Sequence, residues 1–184
     1  ESEIPIREKP ELVNAPLLKG FTFISAKPLL VLFNNGDEDM NPPDMSTSNR
    51  KEEIIILRGR LEHELAQMSV EEARDFLVEF EIEDPAMDRV IKKSYDLLGF
   101  VSFFTVGEDE VRAWTIKKDT LALDAADVIH SDIKKGFIRA EVLFYDDLLE
   151  AKTYQEARKK GTVRLEGKTY PVKNGDIINF RFNV

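Results

Sequence analysis

The first half of the chain alternates short apolar runs with polar, proline-containing stretches. Residues 29–33 and 54–57 are continuous apolar runs that stop at 34–36 and 58–59, a pattern typical of buried strands in a parallel sheet. The polar residues 1–20 contain three prolines and predict an irregular segment. We therefore predict that residues 1–68 hold the edge of an α/β sheet.

Helical spacing of apolar residues follows. Ser69-Val70-Glu71-Glu72 is a capping box, which predicts a helix beginning there. Asp84-Pro85 predicts the start of a second helix, because proline is tolerated in a first helical turn. Gly99 stands where a left-handed residue would end that helix. We interpret residues 69–98 as a helical connector.

From residue 100 the pattern changes to that of strands. Runs at 100–106 and 111–116 predict a β-hairpin, and alternation over 137–144 predicts a third strand. Short strands are predicted at 163–165, 169–172 and 177–182, and helices at 124–129 and 146–160. This order predicts a mixed sheet packed on a helix, and the fold class of the whole chain is α+β.

Composition excludes several classes of function. The chain has 184 residues, of which 42% are hydrophobic and 33% are charged, as in ordinary globular proteins. It has no apolar run long enough to cross a bilayer and no pattern of a secretion signal. It has no cysteine, which excludes disulfides and thiolate chemistry. We expect a cytoplasmic protein without a membrane partner, and the first residue, Glu1, suggests a piece of a longer chain.

Charge differs between the two halves. Residues 1–96 carry 12 Lys plus Arg against 21 Asp plus Glu, whereas residues 97–184 carry 14 of each. The acidic half would be repelled by phosphate backbones, so the balance disfavours non-specific binding to DNA. The neutral half is compatible with a partner contact that depends on complementary shape rather than on net charge.

Three segments resemble a known family in the same order and spacing. They are GEDEVRAWTI at 107–116, VIHSDIKKGFIRAEV at 128–142 and NGDIINFRFNV at 174–184. They resemble the TGS domain at the C-terminal end of YchF-type, Obg-related P-loop GTPases and ATPases. The resemblance implies a β-grasp, ubiquitin-like TGS domain over residues 99–184. It also implies a translation-associated protein whose TGS domain docks on the ribosome or its RNA.

A similar resemblance extends upstream. In YchF-type proteins a Lys-Pro strand leads to the base-recognition motif Asn-x-x-Glu, and residues 27–34 fit that strand. The resemblance gives Asn34 and Asp37 as the motif pair, or Asn35 and Glu38 if the register slips by one residue. It implies that residues 1–68 are the remnant of an α/β nucleotide-binding G domain. The Ser-Ala-Lys segment of the family is replaced here by Arg-Gly-Arg at 58–60.

Phosphate chemistry needs a glycine-rich loop that this sequence lacks. The nearest match to Gly-x-x-x-x-Gly-Lys-Ser/Thr lies at 161–169, has five residues between the glycines and reads as a β-turn. We therefore expect no catalytic residue, cofactor or metal in this chain. The resemblance implies that a parent protein binds ATP or GTP with Mg²⁺ through an upstream phosphate-binding half. The alternative function is an active ATP or GTP hydrolase when the two halves are joined.

A group of basic side chains is the candidate docking surface. His130, Lys134, Lys135 and Arg139 lie close in sequence and could contact RNA or a ribosomal protein. The alternative for His130 is a structural role, bonding to the backbone at a helix end. No second histidine or cysteine stands near it, so a metal site is not expected.

Arg112 and Trp114 are two residues apart in a predicted strand and should share a face. Core packing is one interpretation of Trp114. The other is that an exposed Trp-Arg pair stacks on an unpaired base, with Arg112 among the contact residues.

Overall fold

The structure is a computed structural model that describes residues 4–39, 41–42, 53–107 and 110–183. It divides into two compact units, Glu1–Leu98 and Gly99–Val184. The regular elements of the first unit are α1 (Pro10–Val13), α2 (Pro16–Lys19), β1 (Leu30–Asn34), β2 (Glu53–Leu57), α3 (Gly59–Leu65), α4 (Val70–Glu79) and α5 (Ala86–Leu98). Whether this unit divides further at residue 68 stays a prediction.

The two predicted strands of the first unit pair in parallel. Leu30 stands opposite Glu53 and Asn34 opposite Leu57. The prediction that the first run is fully buried was wrong, because Leu29 and Leu32 are 39% and 46% exposed. Along β1, Leu30, Val31 and Phe33 are partly buried, whereas Leu32 and Asn34 are exposed.

The prediction of an irregular segment at 1–20 was also wrong in part. Two single-turn helices, α1 and α2, begin at Pro10 and Pro16. The prolines were interpreted as helix breakers, although proline fits the first turn of a helix because that turn needs no amide donor. In both helices proline occupies the first position.

The predicted helices of the connector are confirmed. The Ser69 side chain accepts from the Glu72 amide, and the Glu72 carboxylate accepts from the Ser69 amide at 3.0 Å, so the capping box is complete. Helix α5 ends before Gly99, which has a φ of +64°. A small core joins α3 to α4 and the turn after it through Leu61, Leu65, Phe76 and Ile82.

The second unit is a five-stranded mixed sheet with helices. Its elements are β3 (Phe100–Val106), β4 (Val111–Lys117), α6 (Ala122–Ile129), α7 (Ser131–Lys135), β5 (Phe137–Phe144), α8 (Tyr145–Ala151), α9 (Tyr154–Lys160), β6 (Arg164–Glu166) and β7 (Asp176–Phe182). The strand order is β4-β3-β7-β5-β6. Strands β3 and β7 are parallel, and the other neighbours are antiparallel. The predicted hairpin and the strand at 137–144 are confirmed.

Strand β5 has buried side chains on both of its faces. Ala140 and Val142 lie in the main core together with the alanines of α6. Leu143 lies in a second core with Ala151 and Ala157 from α8 and α9. Helices therefore pack against both faces of the sheet at this strand.

The predicted helix over 146–160 is two helices. Lys152 adopts a left-handed conformation (φ 66°), and the Thr153 side chain accepts from the Glu156 amide and caps α9. The sequence carried this signal, since Thr153-x-x-Glu156 is a helix-start pattern inside the supposed helix.

Three other boundaries differ from the predictions. Helix α6 begins at Ala122 rather than at 124, and the single-turn helix α7 was missed. Residues 169–172 are not a strand, and contribute only an isolated bridge between Leu121 and Pro171. Proline cannot donate the amide hydrogen bond that a longer ladder there would need.

Helix α7 ends at Gly136, where two backbone segments meet. The Asn183 amide donates to the Gly136 carbonyl at 3.0 Å. A β-carbon on Gly136 would overlap the backbone carbonyl of Asn183. Glycine is therefore required here by close approach.

Candidate functional site

The predicted base-recognition pair lies at the end of β1. The Asn34 side-chain oxygen accepts from the amide of Gly59, the first residue of α3, at 2.9 Å. A β-carbon on Gly59 would lie 2.8 Å from that oxygen, so glycine leaves room for the bond. The Arg-Gly-Arg segment and the predicted motif are thus in direct contact.

The alternative register begins with Asn35, whose side chain holds its own loop together. Its amide nitrogen donates to the carbonyls of Asp39 and Asn41 at 3.3 and 2.8 Å. Glu38, its predicted partner, is exposed. The Asn35 side chain is therefore occupied by loop contacts. The side-chain amide nitrogen of Asn34 takes part in no hydrogen bond within the part of the chain that the structure describes.

Arg58 fixes the loop that carries Asp37. Its guanidinium is buried and donates to the carbonyls of Phe80 at 2.6 Å and Asp37 at 3.3 Å. The Asp37 carboxylate lies 3.7 Å from the Arg60 guanidinium. Sequence reasoning missed this role of Arg58, because the two segments that supply the carbonyls are brought to it only by the fold.

The glycine-rich segment at 161–169 contains strand β6 and ends in the predicted turn. The Tyr170 amide donates to the Gly167 carbonyl at 3.2 Å, and Lys168 and Thr169 form the turn between them. No helix begins at this turn, whereas a phosphate-binding loop of this kind leads into a helix.

A separate cavity of about 820 Å³ lies in the first unit. Its lining includes β2 and charged side chains such as Arg58, Glu62 and Arg89. Neither Asn34 nor Asp37 contributes to it, so it is distinct from the predicted base site.

In the second unit His130 caps a helix. Its Nδ1 accepts from the Asp132 amide at 3.2 Å at the start of α7. This is the backbone contact of the structural alternative. The ring is exposed, so the contact does not remove His130 from the surface.

Lys134 is paired with two acids of α6, and Lys135 is paired with an acid of its own helix, α7. Lys134 Nζ lies 3.1 Å from Asp124 and 3.0 Å from Asp127, and Lys135 Nζ lies 3.1 Å from Asp132. The hydrogen bond to Asp127, followed by that to Asp124, raises the pKa of Lys134. The expected basic surface at α6 and α7 is therefore balanced by three carboxylates.

Arg112 and Trp114 share a face of β4, as predicted. The Arg112 guanidinium lies 4.2 Å from the centre of the Trp114 ring, and the indole nitrogen donates to Thr105 Oγ1 at 3.0 Å. Trp114 packs against the main core and is half-buried. One ring face is thus occupied by Arg112, which leaves less of the indole for stacking on a base.

Arg139 is on the other face of the sheet from the main core. It precedes Ala140, a core residue, and is two residues from Glu141, so Arg139 and Glu141 share the outer face of β5. The five predicted contact residues therefore do not form one surface. His130, Lys134 and Lys135 lie on α7 and its cap, and Arg112 lies on the core face of the edge strand β4.

Glu141 is the centre of a network that the sequence did not predict. Its carboxylate is buried and accepts from Arg158 at 2.6 and 2.9 Å, from Tyr154 at 3.2 Å and from Arg181. Burial, followed by the charge of Glu141, raises the pKa of Tyr154. A glutamate between alanine and valine in a strand was the available signal, but nothing local identified its partners.

A second buried carboxylate belongs to Asp176. It accepts from the Tyr170 hydroxyl at 2.9 Å and from the Lys173 amide at 2.8 Å. Burial, followed by the hydrogen bond to Asp176, raises the pKa of Tyr170 to about 12. This pair ties the turn after β6 to the start of β7 and is structural.

Residues 4–39, 41–42, 53–107 and 110–183 contain no group of three or more His, Cys, Asp or Glu side chains placed to hold a metal ion. In the same ranges no helix has the length and apolar character needed to cross a bilayer.

The fold defines a mixed α+β protein of two units, the second a mixed sheet with helices on both faces. Residues 100–183 match the family YchF-GTPase_C, described as a protein of unknown function (DUF933). The "Ribosome-binding ATPase YchF" of Bacillus subtilis is 41% identical over 177 residues, covering 91% of this chain and 48% of the relative. The protein of that name from Escherichia coli O157:H7 is 35% identical over 205 residues, covering 100% of this chain and 56% of the relative.

Solved structures agree. The YchF GTPase of Schizosaccharomyces pombe matches with a TM-score of 0.79 and 30% identity, over 96% of this chain and 50% of that one. A GTP binding protein of Pyrococcus horikoshii OT3 shares the fold, with a TM-score of 0.58 and 19% identity over 86% of this chain and 47% of that one. The chain belongs to the YchF family, and it spans about half the length of the curated relatives it matches.

Proposed function

We propose that the second unit is a β-grasp module of the TGS type that serves as a docking domain. The observation that carries this proposal is the central parallel pairing of β3 with β7, the first and last strands of the unit. With β4 and β6 at the edges, the order counted within the unit is 2-1-5-3-4. Helix α6 packs across one face of this sheet through Ala122, Ala125 and Ala126.

The proposed partner is the ribosome. The relatives that cover most of this chain carry the name ribosome-binding ATPase, and a ribosome partner implies the cytoplasm. The proposed contact residues on the α7 side are His130, Lys134 and Lys135, with Arg112 at the edge strand. Because Lys134 and Lys135 each have acidic neighbours, docking there would depend on shape and hydrogen bonding more than on net charge.

Co-sedimentation with ribosomes tests this proposal. The wild-type chain should pellet with ribosomes, and the double variant Lys134→Ala, Lys135→Ala should pellet less. The matched control is Lys118→Ala, Lys173→Ala, which removes two exposed positive charges from other parts of the same unit. Absence of the wild-type chain from the pellet would contradict the docking role, and equal pelleting of the two variants would contradict the α7 surface.

We also propose that residues 27–65 supply base recognition in a longer nucleotide-binding protein. Asn34 would hydrogen-bond the base and Asp37 would accept from its polar edge; Asn35 and Glu38 are the alternative pair. The phosphates and Mg²⁺ of ATP or GTP would be held by residues outside this chain, where a second function, nucleotide hydrolysis, would also reside. Within the described residues the side-chain nitrogen of Asn34 has no hydrogen-bond partner, and this supports the first pair.

Calorimetry separates these alternatives. The chain alone should show no saturable binding of ATP or GTP, because it lacks a phosphate-binding loop. In a longer protein that binds nucleotide, Asp37→Ala should weaken binding more than Glu38→Ala does. The reverse order would favour Asn35 and Glu38. Micromolar binding of ATP or GTP by this chain alone would contradict the proposal that residues outside it hold the phosphates.

A further inference from the structure

The outer face of the sheet in the second unit carries three arginines around one buried acid. Arg139 and Arg181 stand directly opposite each other on β5 and β7, and Arg158 reaches the same face from α9. Glu141 is the carboxylate among them, and it accepts from Arg158 and Arg181. Three guanidinium groups against one carboxylate leave this face with a surplus of two positive charges.

The pairing of Arg139 with Arg181 is unfavourable in a sheet. Like charges placed directly opposite each other on neighbouring strands destabilise the pairing. Glu141 offsets the charge of Arg181 and Arg158, but the side chain of Arg139 makes no hydrogen bond or ion pair with any residue in the described ranges. Its guanidinium instead lies beside Gly167, 3.7 Å from where a β-carbon would be. Within the described ranges Arg139 is therefore an exposed cation without a counter-ion.

The neighbouring basic residues do not share this property. Lys159 pairs with Glu156 at 2.7 Å, and Lys160 pairs with Glu150 at 3.1 Å. The charges of Lys159 and Lys160 at the end of α9 are therefore balanced by these acids. The side chains of Arg158 and Arg181 are 53% and 51% exposed, so part of each guanidinium faces solvent even though each binds Glu141.

We propose that Arg139, Arg158 and Arg181 form a binding site for phosphate groups of an RNA strand. A phosphate group presents several oxygens in different directions and can accept from more than one guanidinium. The side chains of Arg158 and Arg181 are half exposed rather than enclosed in a pocket, which fits the backbone of an extended strand better than a free nucleotide. Glu141 acts as a positioning residue that orients Arg158 and Arg181.

This inference rests on the proposed docking function and places one RNA contact on the face opposite α6. It is tested by the fluorescence anisotropy of a labelled single-stranded uridine oligonucleotide of about 12 nucleotides, titrated with the whole chain. The variant is Arg139→Ala, which removes no partner of Glu141 and should keep the fold. The matched control is Lys118→Ala, which removes one exposed charge from another part of the unit.

Arg139→Ala should weaken oligonucleotide binding about three- to tenfold, as expected for one exposed charge-assisted contact. It should also reduce the slope of log affinity against log salt by about 0.7, the loss of one phosphate contact on a single strand. Arg139→Lys should retain the slope but bind less tightly than wild type, because lysine lacks the planar fork. Lys118→Ala should leave both quantities near wild type.

Equal effects of Arg139→Ala and Lys118→Ala, or no effect of either, would overturn the site. Competition by poly-glutamate as effective as that by unlabelled RNA would also overturn it, and would indicate an acidic protein partner. Loss of the thermal unfolding transition in Arg139→Ala would contradict the claim that Arg139 is not needed for folding. Ribosome co-sedimentation distinguishes the two proposals. If the wild-type chain pellets with ribosomes and Arg139→Ala binds RNA as tightly as wild type, the docking proposal stands and the arginine site is overturned.

Discussion

Arg158 donates from one guanidinium nitrogen to both carboxylate oxygens of Glu141, at 2.6 and 2.9 Å. The acid is 3% exposed and comes from the middle of β5, whereas the arginine comes from the surface helix α9. The contact therefore attaches α9 to the sheet through a carboxylate that is buried from solvent.

Arg158→Ala should lower the free energy of unfolding by about 1–3 kcal/mol, because it removes a hydrogen-bonding partner from a buried charge. The control is Lys159→Ala in the same helix, whose exposed pair with Glu156 should contribute no more than about 0.5 kcal/mol. Denaturation in urea measures both. Equal losses of unfolding free energy in the two variants would show that water or Arg181 can replace Arg158 as a hydrogen-bond donor to Glu141.

Gly136→Ala should destabilise the second unit by about 1–3 kcal/mol, because the new methyl group would overlap the backbone of Asn183. Gly107→Ala is the control, since its β-carbon would meet only the Glu110 carbonyl at 3.6 Å, an ordinary contact. The melting temperatures of the two variants, measured by circular dichroism, provide the comparison. A stable Gly136→Ala protein would mean that the segment at Asn183 moves aside at little cost.

Tyr170 gives the second unit a dependence on alkaline pH. Its pKa in the folded chain is raised to about 12 from the usual 10.0, so folding favours the neutral phenol. That stabilisation is complete below pH 10 and is lost as the pH rises towards 12. Stability measured between these values should fall less steeply in Tyr170→Phe than in wild type, and identical slopes would contradict the assignment.

Asn34→Ala should reduce the stability of the first unit by about 1 kcal/mol, since the Gly59 amide loses its acceptor. Glu38→Ala is the control, because that side chain is exposed and does not accept from the Gly59 amide. Hydrogen exchange at the Gly59 amide is the direct measurement. Unchanged exchange in Asn34→Ala would show that water replaces the asparagine.

Local patterns predicted most elements of this fold. The capping box of Ser69 and Glu72, the left-handed Gly99 and the strand at 137–144 could be found in the sequence because each depends on residues that are close together. The break at Thr153 was also present in the sequence and was overlooked, because the apolar spacing of α8 continued into α9.

The candidate sites were less accessible to sequence reasoning. The alternation over 137–144 predicted the strand β5, but only the fold shows that α8 and α9 cover the face that carries Glu141. Arg158 and Arg181 are 17 and 40 residues from Glu141. Likewise, Lys134 looked like a free cation in the sequence until α6 brought Asp124 and Asp127 beside it.

Helices cover β5 on both faces, and this determines how the second unit unfolds. The edge strands β4 and β6 each have one neighbour in the sheet, so they can detach while the centre persists. Val142 and Leu143 are 0% exposed and belong to different cores, so neither helical layer can leave without exposing part of the strand between them. Their amide protons should therefore exchange only when the whole unit unfolds.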